Sequence, residues 1–160
     1  MTDPRINSYE QRYAIRLLHR LGPGPGQDGF VMQSTRRTAV KFFDRAARYV
    51  RELEVYRVLE SKGIHSVAGH NVPEFLSADD DLLALEISIV QRPFILDFAG
   101  ARKPDEVPDF ESLTLQEHHQ RLEEMFGSRW TDALQVADAF RIITGFTLLD
   151  IHPGNIAFAD

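Results

Sequence analysis

The stretch Leu-Leu-Asp-Ile-His-Pro-Gly-Asn-Ile, residues 148–156, decides the fold that this sequence predicts. Asp150 and Asn155 within it have the spacing D-x-x-x-x-N. At this spacing a carboxylate can accept or orient a hydroxyl proton, and the amide oxygen of the asparagine can ligate magnesium. Apolar residues on both sides predict a loop between two short strands. The alternative is a chance turn that is capped by the aspartate and the asparagine, and the motifs upstream bear on that choice.

A glycine-rich stretch lies near the start of the chain. Gly24, Gly26 and Gly29, followed by Val31, spell G-x-G-x-x-G-x-V. Glycines let backbone N–H groups approach phosphate oxygens and tolerate positive φ angles, because they carry no β-carbon. The motif alone is weak evidence, since a glycine and proline linker after a helix would look similar. A Rossmann loop fits less well, because the strand-like segment FVMQ follows where a helix is needed.

Lys41 stands in the middle of the apolar strand that is predicted over residues 38–43. A lysine in such a strand either extends outward to water or is held inside by an anion, and both alternatives stay open from this position alone. A glutamate in the next element bears on the choice.

Glu52 belongs to the helix that is predicted over residues 44–62. In kinases a lysine to glutamate ion pair orients the amine towards phosphate, and Glu52 is the preferred partner of the strand lysine. Leu59, seven residues further on, matches the usual kinase helix pattern. Glu54 and Glu60 are the competing candidates, interpreted as solvated charges on the helix face.

The remaining periodicities predict the other elements. Helices are expected over 6–21, 114–125 and 131–143, strands over 30–33 and within 72–90 on both sides of an acidic turn at 79–81, irregular chain over 22–29, and a connector over 100–110.

Composition narrows the class of protein. A chain of 160 residues with 43% hydrophobic content predicts one compact domain. The net charge of −6 argues against nucleic acid as a partner, and the absence of cysteine excludes disulfides and thiolate metal sites. The polar N-terminus is unlike a secretory signal. The longest apolar stretch, Leu82–Val90, contains Glu86 and is too short to span a bilayer, so we expect a cytoplasmic protein without a membrane partner.

The order of these motifs resembles the protein-kinase-like superfamily across nearly the whole chain. The motifs are GPGQDGFV, AVK, RELEVYRVL, IVQRPF and LLDIHPGNI. The loop DIHPGN is more similar to that of aminoglycoside and choline phosphotransferases than to that of eukaryotic protein kinases, which carry lysine where His152 stands. The short hairpin and the abbreviated second half look closest to small kinase-like domains of bacterial and phage polyvalent proteins.

The resemblance implies an α+β, two-lobed, protein-kinase-like domain that occupies residues 1–160. Residues 1–93 would form an N-terminal lobe with an antiparallel sheet and one long helix, ending in a hinge. Residues 94–160 would form an abbreviated, mostly helical C-terminal lobe that ends after the catalytic loop.

The resemblance also implies a role for each matching residue, with ATP and Mg²⁺ as cofactors. The nucleotide-binding residues would be Gly24, Gly26, Gly29, Val31, Lys41 and Glu52, with Val90 and Gln91 in the hinge beside adenine. The catalytic residues would be Asp150 as base, Asn155 as magnesium ligand, Lys41, and His152 near the transferred phosphate. For His152 the alternative is a loop histidine packed beside Pro153. The other five histidines show no metal-ligand spacing with carboxylates.

The sequence departs from the family pattern after the catalytic loop. Kinases hold their principal magnesium ion with the aspartate of a DFG-type motif, one strand beyond the catalytic asparagine. Asp160 is the only acidic residue after Asn155 in this sequence. It would be either an equivalent of the acidic turn before that strand or a substitute metal ligand.

Two functions are therefore expected as alternatives. One is a minimal or partly degenerate ATP-dependent phosphotransferase with an unidentified phosphoacceptor. The other is a catalytically inactive, kinase-like interaction module that binds a protein partner or a second copy of itself. For this chain the missing aspartate predicts weakly metal-dependent nucleotide binding and slow or absent turnover.

Overall fold

The computed structural model describes residues 3–26, 29–106, 115–149 and 151–159. Asp150 and Asp160 lie outside these ranges, so their predicted roles stay predictions. None of the helices within the ranges is long and apolar enough to cross a bilayer.

Four helices and nine strands make up the described part of the chain. The helices are α1 (Pro4–Tyr13), α2 (Ala46–Ser61), α3 (Leu115–Phe126) and α4 (Trp130–Thr144), with a single 3-10 turn at Gly127–Arg129. The strands are β1 (Leu17–Gly26), β2 (Gly29–Ser34), β3 (Thr38–Phe43), β4 (Ser66–Val67), β5 (His70–Asn71), β6 (Phe75–Asp79), β7 (Ala84–Ser88), β8 (Phe94–Ile95) and β9 (Ile156–Ala157).

Two sheets organise these strands. The first is antiparallel throughout, with the order β1-β2-β3-β7-β6, and the second is small and mixed, with the order β4-β5-β8-β9. The predicted α+β class is confirmed, with an antiparallel sheet and one long helix, α2, in the first half. The hairpin β2–β3, the acidic turn between β6 and β7, and both later helices are also confirmed.

The first 30 residues differ from the prediction. The helix predicted over 6–21 ends at Tyr13, because Ala14 adopts the left-handed conformation with φ 52°. The helix begins earlier than expected, with Asp3 as the N-cap whose carboxylate accepts from the Arg5 N–H at 2.9 Å.

The segment predicted as irregular continues the strand β1 to Gly26. The strand tolerates its prolines because it lies at the edge of the sheet, where no second neighbour requires a backbone N–H. Its pairing with β2 shifts register twice, and Gly22 has φ 90°. Prolines and glycines therefore make this strand irregular without preventing it.

The two faces of the first sheet pack against different helices. Val40 and Phe42 of β3 belong to the core beneath α1, whereas Ala39 and Phe43 belong to the larger core that includes α2. Side chains alternate along a strand. Lys41 consequently lies on the face of the sheet that α2 covers.

The predicted strand–loop–strand around residues 148–156 is only half correct. The second strand is β9, but before the loop only Thr147 pairs, in an isolated bridge with Arg102. β9 is antiparallel to β8, with Ile156 opposite Ile95. This long-range pairing brings the loop beside the chain segment that follows β8.

Candidate active site

Lys41 is held between two carboxylates. Its Nζ lies 2.7 Å from Glu52 Oε2 and 2.8 Å from Asp97 Oδ1. Glu52 comes from α2 and is 1% exposed, and Asp97 follows β8. The predicted partner of Lys41, Glu52, is therefore its partner in the structure. Asp97 is a second acidic partner that was not predicted.

The charges in this cluster stabilise one another. Burial disfavours the ammonium, but Glu52 and Asp97 outweigh this effect and raise the pKa of Lys41 above its ordinary value. Burial also disfavours the charged form of Asp97 and would raise its pKa. The Lys41 ammonium and the Ala99 N–H outweigh burial and lower the pKa of Asp97 below its usual range. Lys41 and Asp97 are therefore both charged at neutral pH.

Asp97 is the residue of the site that the sequence analysis missed. It is not a glycine, yet its φ is 62°, so the backbone turns sharply directly after β8. The signal that could have found it is the segment Phe-Ile-Leu-Asp-Phe-Ala-Gly, residues 94–100, in which a carboxylate directly follows a short apolar strand.

The loop before β9 lies beside Asp97. The carbonyl of His152 accepts from the N–H of Asn155 at 2.8 Å and from the N–H of Ile156 at 3.0 Å, which closes a tight turn. The carbonyl of Asn155 accepts from the Leu96 N–H at 2.7 Å. The structure thus brings Asn155, which is buried, next to Leu96, the residue that separates β8 from Asp97.

His152 has a defined orientation in this turn. Its Nδ1 accepts from the Gly154 N–H at 3.0 Å, so the neutral ring carries its proton on Nε2. A β-carbon on Gly154 would lie 2.8 Å from the ring. His152 also lies close enough to contribute electrostatically to the lowered pKa of Asp97. The histidine therefore belongs to the same cluster, with Nε2–H as its donor.

The glycine hairpin, formed by β1 and β2, lies next to the strand that carries Lys41, because β2 pairs with β3. Gly24 and Gly26 lie in β1 and Gly29 begins β2, on either side of a tip outside the described ranges. Val31 stands directly opposite Lys41. The predicted phosphate loop therefore leads into the strand pair that carries the lysine.

Gly29 is the glycine whose conformation is required. Its φ is 137°, and a β-carbon there would lie 1.8 Å from the carbonyl oxygen of Phe42. Any side chain would force β2 away from β3.

The two predicted hinge residues, Val90 and Gln91, line a cavity that does not include Lys41. Val90 and Gln91 line an open cavity of about 350 Å³ together with residues such as Asn71 and Glu74. The Gln91 carbonyl accepts from Asn71 Nδ2 at 3.0 Å. The lining of this cavity does not include Lys41, so the structure does not bring the hinge residues and the lysine into one pocket.

The residues that could hold a cation are few. Within residues 3–26, 29–106, 115–149 and 151–159, no group of three or more His, Cys, Asp or Glu side chains is arranged to hold a metal ion. Asp97 and Asn155 supply carboxylate and amide oxygens, which suit Mg²⁺ when phosphate oxygens and water complete the shell. The donor set therefore fits a magnesium ion that arrives with a phosphorylated ligand.

Tyr56 places a buried hydroxyl close to this cluster. Its ring packs edge-on against Phe98, with the ring centres 5.3 Å apart. The hydroxyl has no hydrogen-bond partner in the part of the chain that the structure describes. Burial, and then the charges of Glu52 and Asp97, raise the pKa of Tyr56 well above its ordinary value. A polar atom without a partner thus lies within the electrostatic range of both carboxylates.

Comparisons with known proteins give structural neighbours only. No family model and no curated protein matches the sequence. Solved structures that match are the aminoglycoside phosphotransferase APH(2'')-IIa with streptomycin and ATP (14% identity, TM-score 0.44) and APH(2'')-Ib with ADP bound (20%, 0.43). A complex of gentamicin with APH(2'')-IIa matches at 19% identity and a TM-score of 0.43. The matches cover 87–88% of this chain but 38% of each neighbour, so the chain spans well under half of their length. Aminoglycoside phosphotransferases are thus among the structures that this chain is similar to.

Proposed function

We propose that this chain is an ATP-dependent phosphotransferase of protein-kinase-like type with an unidentified phosphoacceptor. The observation that carries the proposal is the Lys41 ammonium, held by Glu52 and Asp97 beside the loop that contains Asn155. A lysine fixed in this way is a point charge suited to a phosphate oxygen.

The ammonium has one donor left for a phosphate. An ammonium group carries three N–H donors, and Glu52 and Asp97 accept two of them. Among the described residues no oxygen accepts the third. An ATP phosphate oxygen would complete the set without displacing either carboxylate.

The charge balance favours metal-dependent binding. One ammonium and two carboxylates leave the cluster with a net negative charge, which repels a triphosphate. A bound Mg²⁺ would neutralise charge on the terminal phosphates. We therefore replace the weak metal dependence predicted from the sequence with a strong one.

The other residues receive roles within this proposal. The backbone of Gly24, Gly26 and Gly29 would cover the phosphates, and Asp150 would accept the proton of the acceptor hydroxyl. His152 would donate its Nε2–H to the transferred phosphoryl group. Val90 and Gln91 remain the proposed adenine contacts. Their backbone groups would contact the adenine, which would not enter the cavity that their side of the chain lines.

Saturable ATP binding in the presence of Mg²⁺, measured by titration calorimetry, tests the proposal. Lys41→Met should weaken ATP affinity by about 10- to 100-fold, because a charge-assisted hydrogen bond is lost. Lys103→Met is the matched control, since Lys103 pairs with Glu54 on the exposed surface. Circular dichroism checks that each variant is folded. No saturable binding by the wild type, or equal affinities for wild type and Lys41→Met, would contradict the proposal.

The second candidate is an interaction module without turnover, and one observation favours it. Leu134 and Ile142, two turns apart on α4, are exposed, and Ile142 is 69% accessible. Two exposed apolar side chains on one helix suit contact with a partner or a second copy of the chain. Light scattering after size exclusion distinguishes the two candidate functions. A dimer that dissociates in the Ile142→Gln variant supports the interaction module, and a monomer at high concentration opposes it.

A further inference from the structure

The pairing of β8 with β9 determines which residues approach the catalytic loop. Ile95 stands opposite Ile156 in antiparallel register, so Leu96 stands opposite Asn155, and their backbones are joined by the 2.7 Å hydrogen bond. Opposed residues in such a pair are about 4.5–5.5 Å apart at Cα. Asp97 is therefore one residue away from the position facing Asn155.

The carboxylate of Asp97 is only half used by the protein. Oδ1 accepts from Lys41 Nζ at 2.8 Å and from the Ala99 N–H at 3.3 Å. Oδ2 accepts no hydrogen bond from any residue that the structure describes. The side chain is 33% exposed, so the carboxylate is partly accessible to solvent. An ionised oxygen that lies beside a lysine, one residue from the position facing Asn155, is a suitable ligand for a hard cation.

The nearby tyrosine is an independent sign that the protein groups alone leave the site incomplete. The Tyr56 hydroxyl is buried, has no hydrogen-bond partner among the residues that the structure describes, and is influenced electrostatically by both Glu52 and Asp97. Buried hydroxyls are nearly always hydrogen-bonded, to protein or to ordered water. A water or ligand oxygen within hydrogen-bond distance of the hydroxyl would satisfy it.

We infer that Asp97, together with the side chain of Asn155, supplies the protein ligands of a divalent cation that accompanies ATP. The inference rests on the proposed function. The carboxylate then precedes the catalytic loop in the chain, whereas Asp160, the substitute ligand expected from the family pattern, follows that loop. The β8–β9 pairing, and not the order in the chain, creates the site.

Nucleotide and metal binding in the wild type and four variants tests the assignment. The affinity for ATP is measured by calorimetry with Mg²⁺ and with EDTA, and bound Mn²⁺ is measured by electron paramagnetic resonance in the presence of ADP. The proteins are the wild type, Asp97→Asn, Asp160→Asn and, as a surface control, Asp105→Asn. Asp97→Glu is added because it keeps the charge if the amide variant folds poorly.

Divalent cation should raise the ATP affinity of the wild type by about tenfold or more, since even residues that only support a metal ligand commonly change metal affinity 10- to 100-fold. Asp97→Asn should lose this gain and the bound Mn²⁺ signal, and Asp97→Glu should recover part of both. Asp160→Asn and Asp105→Asn should keep them.

The outcomes separate the two levels of the account. If Asp97→Asn keeps the gain, or if Asp160→Asn loses it, the assignment of Asp97 is wrong. If the wild type binds ATP equally with Mg²⁺ and with EDTA, the cation site falls and the nucleotide site stands. If the wild type binds no ATP under either condition, both proposals fall.

Discussion

The ammonium of Lys41 lies 2.7 Å from the buried carboxylate of Glu52 and thereby joins β3 to α2. The contact spans the inner face of the sheet, where Ala39 and Phe43 of the same strand also pack. We therefore expect both the stability of the protein and the proposed nucleotide binding to depend on this pair, and variants can separate the two.

The stability of the protein should fall sharply when the ammonium is removed. Lys41→Met leaves Glu52 buried without its cation, which should lower the free energy of unfolding by about 3–5 kcal/mol. Lys41→Met combined with Glu52→Gln should recover much of the loss, because the buried charge is gone. Urea denaturation measures both. A single variant as stable as the wild type would show that the pair is not a compensated buried charge.

Nucleotide affinity should respond to Glu52 but not to its neighbour. Glu52→Gln leaves the ammonium to Asp97 alone and should weaken ATP binding by about tenfold, because the lysine is no longer oriented from α2. Glu54→Gln removes an exposed partner of Lys103 and should leave the affinity unchanged. A fluorescent ATP analogue gives both affinities by titration. Equal effects of the two substitutions would argue against an orienting role.

The beginning of β2 should not tolerate a side chain. In Gly29→Ala the new methyl group meets the Phe42 carbonyl at 1.8 Å, so we expect a loss of about 3 kcal/mol or more. Gly22→Ala also has a positive φ, 90°, but meets nothing within 4 Å, so backbone strain of about 1–2 kcal/mol is the whole effect. Thermal and urea denaturation compare the two. Similar losses would mean that the contact with β3 is not the limiting feature.

Protonation of Asp79 should make the protein less stable in acid. Burial raises the pKa of this carboxyl, but the N–H of Leu82 and the hydroxyl of Tyr13 lower it. The Arg12 guanidinium, 2.7 Å away, lowers it further, and the pKa falls below the ordinary value of 3.8.

A folded-state pKa below the unfolded value contributes stability above about pH 4, and that stability is lost as the pH falls through the folded pKa. The free energy of unfolding of the wild type should therefore decrease between pH 5 and pH 3 more steeply than that of Asp79→Asn. Asp105→Asn, on the surface, should follow the wild type. Parallel curves for wild type and Asp79→Asn would refute this assignment.

Local patterns predicted the elements whose residues interact with near neighbours in the chain. The hairpin β2–β3, α2 and α4 follow from alternation, helical period and the left-handed Gly145 that ends α4. The Lys41 to Glu52 pair also follows, because α2 comes directly after β3. Such contacts need little information from distant residues.

Two features depend on partners that are distant in sequence. Leu17 and Leu21 fit a helical and an extended period equally well, and only the pairing of β1 with β2 decides between them. Asp97 lies near the loop of Asn155 because β8 pairs with β9, whose sequence lies some 60 residues further along. A search along the chain for an aspartate after Asn155 could not find it.

Amide hydrogen exchange with and without Mg²⁺ and ATP tests the central claim most directly, because it locates the ligand as well as detecting it. The account predicts slower exchange in the glycine hairpin 17–34, in the strand that carries Lys41, and in residues 151–157. Val90 and Gln91, the proposed adenine contacts, should also exchange more slowly, whereas His65, Asn71 and Glu74 in the same cavity lining should exchange as before. Protection of His65, Asn71 and Glu74 without protection of the glycine hairpin and of the strand that carries Lys41, or no protection anywhere, would contradict the claim that the Lys41, Glu52 and Asp97 cluster is the nucleotide site.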